Sequence, residues 1–280
     1  MVDSLIDKLI ELAIAEDIGD GDHSSLSCIP SEAVGGVKLM MKQQGIIAGI
    51  DIAKRIYKKI DSGITFQPLV EDGQMLNKGD FVFNASGRVH SLLQAERIVL
   101  NVMQRMSGIA TQTNRYVRVV EGTKAKILDT RKTTPGMRVL DKLAVKIGGG
   151  ENHRMGLFDM IMLKDNHIDF AGGIENAIGK ANEYLSRTGR NIGIEVETRN
   201  LNEVERVLLV GGVQRIMLDN FNLENTRAAV KLINGRFETE SSGGINLDTV
   251  RGYAECGVDY ISVGAITHQI QSIDMNLKKV

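Results

Sequence analysis

From Ala125 onward, short apolar runs alternate with helical segments, and this alternation limits the possible folds more than any other feature of the chain. Lys126-Ile127-Leu128, Met160-Ile161-Met162-Leu163, Ile192 to Val196, Arg215 to Leu218, Phe237 to Thr239 and Tyr260 to Val263 read as buried strands. Leu201 to Leu209, Leu223 to Ile233 and Leu247 to Glu255 carry helical spacing between them. Strand centres fall near 127, 161, 194, 217, 238 and 261, so the last three intervals are about 21 to 23 residues, one compact β-α unit each. The first two intervals are longer and leave room for inserted loops. Repeated β-α units predict a parallel sheet with helices outside. Six strands are too few for an eightfold barrel. The expectation is therefore an incomplete parallel α/β barrel, with an open doubly wound sheet as the alternative.

The first hundred residues have another texture. Val37-Lys38-Leu39-Met40 and Phe81-Val82-Phe83 alternate, Asp72-Gly73 and Lys78-Gly79-Asp80 punctuate turns, and Ile50 to Ile60 reads as one helix. These features predict a small α+β domain with an antiparallel sheet. A long helical stripe of Leu93, Ile98, Val99, Val102 and Met106 runs from about Leu92 to Val120. The expected division is an N-terminal domain at 1–107, a catalytic barrel at 108–267 and a tail at 268–280 returning to the N-terminal domain.

Composition narrows the function classes. With 34 Lys+Arg against 35 Asp+Glu the net charge is -1, so no global attraction to nucleic acid or acidic membranes is expected. The longest uncharged run, Tyr260 to Ile273, is too short to span a bilayer, and Asp3, Asp7 and Glu11 interrupt the N-terminus where a signal peptide needs an apolar run. The first segment instead places Leu5, Ile6, Leu9, Ile10 and Ala13 at helical spacing. Cys28 and Cys256 lack any CxxC spacing and read as small core residues, and a reducing cytoplasm is the expected compartment.

Parallel β/α architectures place their active sites at the C-terminal ends of the strands. Here every strand end carries polar groups. Asp129-Thr130-Arg131-Lys132-Thr133 follows the first strand, and its adjacent cations suit an anionic ligand, Arg as a planar fork and Lys as a point charge, or a solvated surface pair. Asn152-His153-Arg154 follows Gly148-Gly149-Gly150, which reads either as a flexible loop or as backbone held close to a ligand. Lys164-Asp165-Asn166-His167 ends the second strand. Glu195 and Glu197, on one face of the third, and Asp219, closing the fourth, suit Mg2+ or serve as helix caps. Ser242-Gly243-Gly244-Ile245 and Ser262-Val263-Gly264-Ala265 are small-residue loops fit for phosphate at a helix N-terminus or for tight turns. Together they describe a rim for a polyanionic, phosphorylated substrate carrying Mg2+. No HxH or HxxxH pair supports zinc, and neither GxGxxG nor GK[ST] is present.

Several runs, in this order and spacing, resemble the quinolinate phosphoribosyltransferases. They are Gln94-Ala95-Glu96-Arg97, Ser107-Gly108-Ile109-Ala110-Thr111, Asp129 to Thr133, Asn152-His153-Arg154, Lys164 to His167, Glu195-Val196-Glu197 and Ser242-Gly243-Gly244-Ile245. The similarity covers nearly the whole chain, beginning at Glu16-Asp17. Ser241 departs mildly, standing where a residue such as alanine is common.

The resemblance implies an N-terminal α+β open-faced sandwich domain followed by an incomplete parallel α/β barrel. It implies transfer of the phosphoribosyl group of phosphoribosyl pyrophosphate to quinolinate with decarboxylation, giving nicotinate mononucleotide, pyrophosphate and CO2 in NAD biosynthesis. It implies Mg2+ bound with phosphoribosyl pyrophosphate, and a homodimer or a hexamer of dimers in which Arg97 crosses into the neighbouring site. Arg131, His153, Arg154 and Lys164 would meet the two carboxylates of quinolinate, with Thr130 also on the substrate. Lys132 would face pyrophosphate. Glu197, with Glu195 as its alternative, and Asp219 would handle the ribose hydroxyls and Mg2+. Ser242, Gly243, Gly244, Ser262, Gly264 and His268 would cradle phosphate. Lys132, Lys164, Glu197 and Asp219 form the implied catalytic group.

The nearest rival is the phosphoribosyltransferase-like protein associated with molybdenum transport, which shares the Thr-Arg-Lys and His-Arg features; the Lys164 to His167 run favours quinolinate. A nicotinate-specific transferase suits so many cations less well than a dicarboxylate does. From other classes come an aldolase-type barrel with Lys164 as Schiff-base nucleophile and a non-catalytic phosphosugar-binding regulator.

Overall fold

The computed structural model describes residues 2–280, with strands β1 (Val34–Met41), β2 (Gly45–Ile46), β3 (Thr65–Pro68), β4 (Met75–Leu76), β5 (Phe81–Arg88), β6 (Lys126–Leu128), β7 (Met160–Leu163), β8 (Gly193–Thr198), β9 (Arg215–Asp219), β10 (Glu238–Ser242), β11 (Tyr260–Ser262) and β12 (Met275–Lys279). They make an antiparallel sheet of order β12-β1-β5-β3, a parallel sheet of order β6-β11-β10-β9-β8-β7 and the small pair β2-β4. The chain divides into two compact units. One holds the residues up to Asn114 together with Thr133–Gly149 and Ile266–Val280, and the other holds Arg115–Lys132 and Gly150–Ala265.

In the first unit the period-two pattern of β1 buries Val37, Leu39 and Met41 on one face. The helix Ile50–Ile60 supplies Ile52, Ala53, Ile56 and Tyr57 to the core. Tyr57, Phe66 and Phe83 pack as an aromatic cluster, with ring centroids 4.6 to 6.0 Å apart. The C-terminal strand β12 pairs antiparallel with β1. A single long helix spans Val89–Val119. On it Ser107 and Thr111, one turn apart, accept the backbone N–H groups of Ala48 (3.0 Å) and Ile46 (2.8 Å), so that motif is a clasp for β2 and the residues after it. Gly148 likewise has a packing reason rather than a ligand. A Cβ there would lie 2.9 Å from Ala110 Cα and 2.8 Å from Thr113 Cβ, so only glycine lets this turn approach the helix.

In the second unit the sheet order is cyclic in sequence, each strand beside its successor, with a seam where β6 and β7 do not pair. This is an incomplete α/β barrel. Glu151 lies along β6 at that seam through one parallel bridge to Leu128. Ile194, Val196, Ile216, Leu218 and Ile261 are buried on one parity of the strands. The other parity carries the charged and polar groups, Glu195 and Glu197 in β8, Arg215 and Asp219 in β9, Glu240 and Ser242 in β10, Tyr260 and Ser262 in β11, with Leu128, Met162 and Met217 among them.

Two expectations need correction. Cys256 is buried as expected, but Cys28 is exposed, because it ends a short surface helix, His23–Cys28, that leaves its outer face in solvent. The last barrel helix begins at Val250 rather than Leu247, since Asn246 to Thr249 form a turn held by the Asn246 and Thr249 side chains.

Candidate active site

The interior of the barrel unit is a charged network. His153 Nδ1 accepts the backbone N–H of Arg154 (2.6 Å), which leaves Nε2 to carry the proton and donate it to Glu195 (2.7 Å), with Glu240 at 3.5 Å. Asp129, at the end of β6, accepts the His153 backbone N–H (2.9 Å) and so ties the 151–153 segment across the seam. Arg215 reaches Glu240 (3.0 Å) and Glu238 (3.0 Å) and lies 4.0 Å over the Tyr260 ring. Ser262, closing β11 beside β10, is buried near Glu240 and favours its charged form slightly.

Burial pushes Glu195 up to about 7 against the pull of Arg215. It pushes Glu240 up to about 8, helped by the Glu195 charge and opposed by His153 and Arg215. Two carboxylates this close in a dry core do not both ionise, so the pair holds a shared proton near neutral pH. His153, Glu195 and Glu240 have ligand atoms within 4.8 Å of one another, the arrangement of a possible metal site among the described residues, but the Arg215 guanidinium, the His153 N–H and a shared proton already answer their charge.

Above this layer, at the strand ends, the groups are more exposed. Thr130 Oγ accepts the Lys132 N–H (3.1 Å), forming the turn that displays Arg131 and Lys132, both exposed. Arg154 is half-buried, and its burial together with the neighbouring Arg131 charge holds its guanidinium below the usual range. Lys164 caps the helix Asp165–Ala171 and its Nζ meets Glu197 at 2.7 Å, β7 and β8 being paired at Leu163 and Val196. Asp219 closes β9 opposite Ser242 of β10. Gly243 and Gly244 both have positive φ (99° and 61°), so this loop turns before any helix begins and offers successive backbone N–H groups rather than a helix N-terminus.

The second unit thus brings together Thr130, Arg131, Lys132, His153, Arg154, Lys164, Glu197, Asp219, Ser242, Gly243, Gly244, Ser262 and Gly264. Arg97, exposed on the long helix, and His268, exposed at the end of a four-residue helix, belong to the first unit. Of the two candidate carboxylates in β8, Glu195 is wholly buried in the network and Glu197 stands at the rim. Glu240, Arg215 and Asn220 join the network and the rim without having stood out in the sequence. The first two carry a signal there, since a charge inside a strand of a parallel sheet is buried and needs a partner.

Comparison with known proteins agrees with this geometry. Residues 22–107 match the family model "Quinolinate phosphoribosyl transferase, N-terminal domain", and residues 109–278 match the corresponding C-terminal domain. Quinolinate phosphoribosyltransferase [decarboxylating] 1b of Nicotiana tabacum is 44% identical over 96% of this chain and 81% of its own length. The probable nicotinate-nucleotide pyrophosphorylase [carboxylating] of Bacillus subtilis is 41% identical over 96% of this chain and 92% of its own. The solved structure of the nicotinate-nucleotide pyrophosphorylase from Francisella tularensis superimposes with a TM-score of 0.93 at 38% identity, covering 99% of this chain and 96% of that one. A sandwich and incomplete barrel with cations, carboxylates and glycine loops on one rim, matched along almost the whole chain, place it in the quinolinate phosphoribosyltransferase family.

Proposed function

We propose a division of labour among the rim residues for the family's reaction. The chain is a phosphoribosyltransferase of NAD biosynthesis that joins quinolinate to the ribose of phosphoribosyl pyrophosphate and releases pyrophosphate and CO2. The observation that carries the assignment of residues is the Lys164–Glu197 ion pair at the ends of β7 and β8, with Arg154 held below its usual range by burial and by the Arg131 charge. A dicarboxylate relieves that repulsion.

In this reading Arg131, Arg154 and Lys164, with Arg97 from a second copy of the chain, hold the two carboxylates of quinolinate, and Thr130 shapes the Arg131 turn. His153 has one ring nitrogen on Glu195 and the other on the Arg154 backbone, so its part is to position Arg154. Glu197 and Asp219 take the ribose hydroxyls, and the Ser242-Gly243-Gly244 loop with Gly264 takes the 5′-phosphate. Ser262, closing β11 just before Gly264, serves the same phosphate. The Lys164–Glu197 ion pair is partly solvated and therefore weak, so arriving substrates exchange it for their own contacts.

The pyridine nitrogen of quinolinate has a free lone pair, so the transfer needs no general base. It needs alignment of that nitrogen with C1 of the ribose and stabilisation of separating charge. The N–C1 bond forms as the C1–O bond breaks and pyrophosphate leaves toward Lys132. Glu197 and Asp219 favour the positive charge that grows on the sugar. The ring nitrogen then carries positive charge, which stabilises the carbon left when the adjacent carboxylate departs as CO2, and a proton takes its place. Glu197 and Asp219 are strand-end oxygen donors of the kind a hard divalent cation takes, and they would hold Mg2+ entering with phosphoribosyl pyrophosphate. Such an ion supplies charge neutralisation to the leaving pyrophosphate.

We further place this activity in a reducing cytoplasm, a reading supported by two unpaired cysteines. Among the described residues no helix is long and apolar enough to cross a membrane. The test is purified protein with quinolinate, phosphoribosyl pyrophosphate and Mg2+, following nicotinate mononucleotide and CO2 together. One-to-one appearance is expected; binding of phosphoribosyl pyrophosphate without turnover of quinolinate would point to another acceptor.

A further inference from the structure

We propose that Asn220 is a positioning residue that joins the ribose-binding carboxylate to the phosphate loop. The proposal rests on the reading of Asp219 and Ser242-Gly243-Gly244 given above. Asn220 follows β9 directly and has φ 56°, one of two non-glycine residues with positive φ among the described residues. Asparagine tolerates that left-handed backbone better than most residues, and the conformation turns its side chain back toward the strand end.

Three contacts meet there. The side-chain amide donates to Asp219 Oδ2 (2.6 Å), and the backbone N–H donates to the Ser242 carbonyl (2.9 Å). A Cβ on Gly243 would lie 2.6 Å from Asn220 Cγ and 2.8 Å from its backbone nitrogen, so the glycine loop packs directly on this residue. The segment is pinned on its far side as well. Tyr253 donates its hydroxyl to the Phe221 carbonyl (2.8 Å), and Asn222 caps the helix Leu223–Ile233. Asn220 therefore does two jobs. Its amide turns the Asp219 carboxylate so that one oxygen is held and the other is presented, and its backbone sets the spacing between that carboxylate and the phosphate loop. A phosphorylated sugar gripped at its hydroxyls and its phosphate depends on that spacing.

Asn220→Gly separates the two jobs, because glycine adopts the same backbone without strain but removes the amide. Asn220→Asp keeps shape and backbone tolerance but sets a second carboxylate against Asp219. For Asn220→Gly the expected result is a roughly ten- to hundredfold rise in KM for phosphoribosyl pyrophosphate, the range for loss of a hydrogen bond to a charged group. KM for quinolinate at saturating phosphoribosyl pyrophosphate should change less than about threefold, and the melting temperature should stay within roughly 3 °C. Asn220→Asp should be the worse of the two, and its defect should ease as Mg2+ is raised. Direct calorimetric binding of phosphoribosyl pyrophosphate should follow the same order. A wild-type KM and affinity in Asn220→Gly overturns the proposal, as does an equal loss toward both substrates, which marks a general structural defect. Asp219→Ala is the control for the underlying reading: if it binds phosphoribosyl pyrophosphate normally, the role of Asp219 fails first and the proposal falls with it.

Discussion

Replacing Glu240 by Gln tests whether the barrel interior holds a proton. Glu240 is fully buried, its carboxyl is raised to about 8 by burial and by the Glu195 charge, and the unfolded chain would ionise it near 4.5. A carboxyl raised in the folded state adds stability that is complete below the unfolded value and is lost as pH rises through the folded one. The window therefore runs from about pH 4.5 to about pH 8. Each tenfold gain in proton affinity on folding corresponds to about 1.4 kcal/mol, so one proton shared by the pair and held roughly a hundred- to a thousandfold more tightly contributes about 3 kcal/mol. In a chain this large, roughly 2 °C accompanies each kcal/mol, which makes the effect about 6 °C. Gln keeps the volume, can still accept from Arg215, and has no proton to lose. The assay is thermal unfolding of both proteins from pH 5 to pH 9. The variant's melting temperature should gain on the wild type by about 6 °C across that interval. A difference that stays constant with pH would refute the shared proton, because it would mean that Glu240 is as fully ionised in the folded chain as in the unfolded one across the range.

Lys164→Ala and Arg131→Ala should each lower kcat/KM by tens to thousands of fold, the equivalent of about 2–5 kcal/mol for a buried charged contact with a carboxylate, while unfolding temperatures stay close to wild type. Near-normal turnover in both would remove them from the site. The proposed crossing of Arg97 predicts that mixing inactive Arg97→Ala and Lys164→Ala chains restores activity, because one site of such a mixed dimer would carry neither substitution; no recovery in a demonstrated mixed dimer would place Arg97 in its own chain's site. The Ser241 hydroxyl is buried and meets no hydrogen-bond partner among the described residues, so Ser241→Ala should stabilise by about 1–2 kcal/mol, read as a rise in melting temperature. A fall would show that the hydroxyl has a partner after all.

Much of the molecule was legible in the chain because its signals are local and periodic. The runs at 127, 161, 194, 217 and 261 became strands, the Ile50–Ile60 and Leu223–Ile233 helices appeared with those limits, and strand-end polarity pointed to the rim. Each of these rests on side-chain period or on where a strand must stop, and neighbours in sequence decide both. Roles that depend on partners far along the chain were not legible. Glu195 and Glu197 look alike as sequence, but cross-strand register sends one into the dry interior with His153 and the other to Lys164 at the rim. Gly148 invites a ligand when read as sequence, and in the structure it admits the backbone of the long helix at Ala110. Asn220 looks like a loop residue until the loop after β10 is laid against it. The amino-acid order alone was enough for the architecture and the chemical inventory, since both follow from local pattern. Which carboxylate is sealed in the interior with His153, which pairs with Lys164 at the rim and which residue packs against the glycine loop were settled by tertiary packing, because burial and partnership are properties of the assembled sheet.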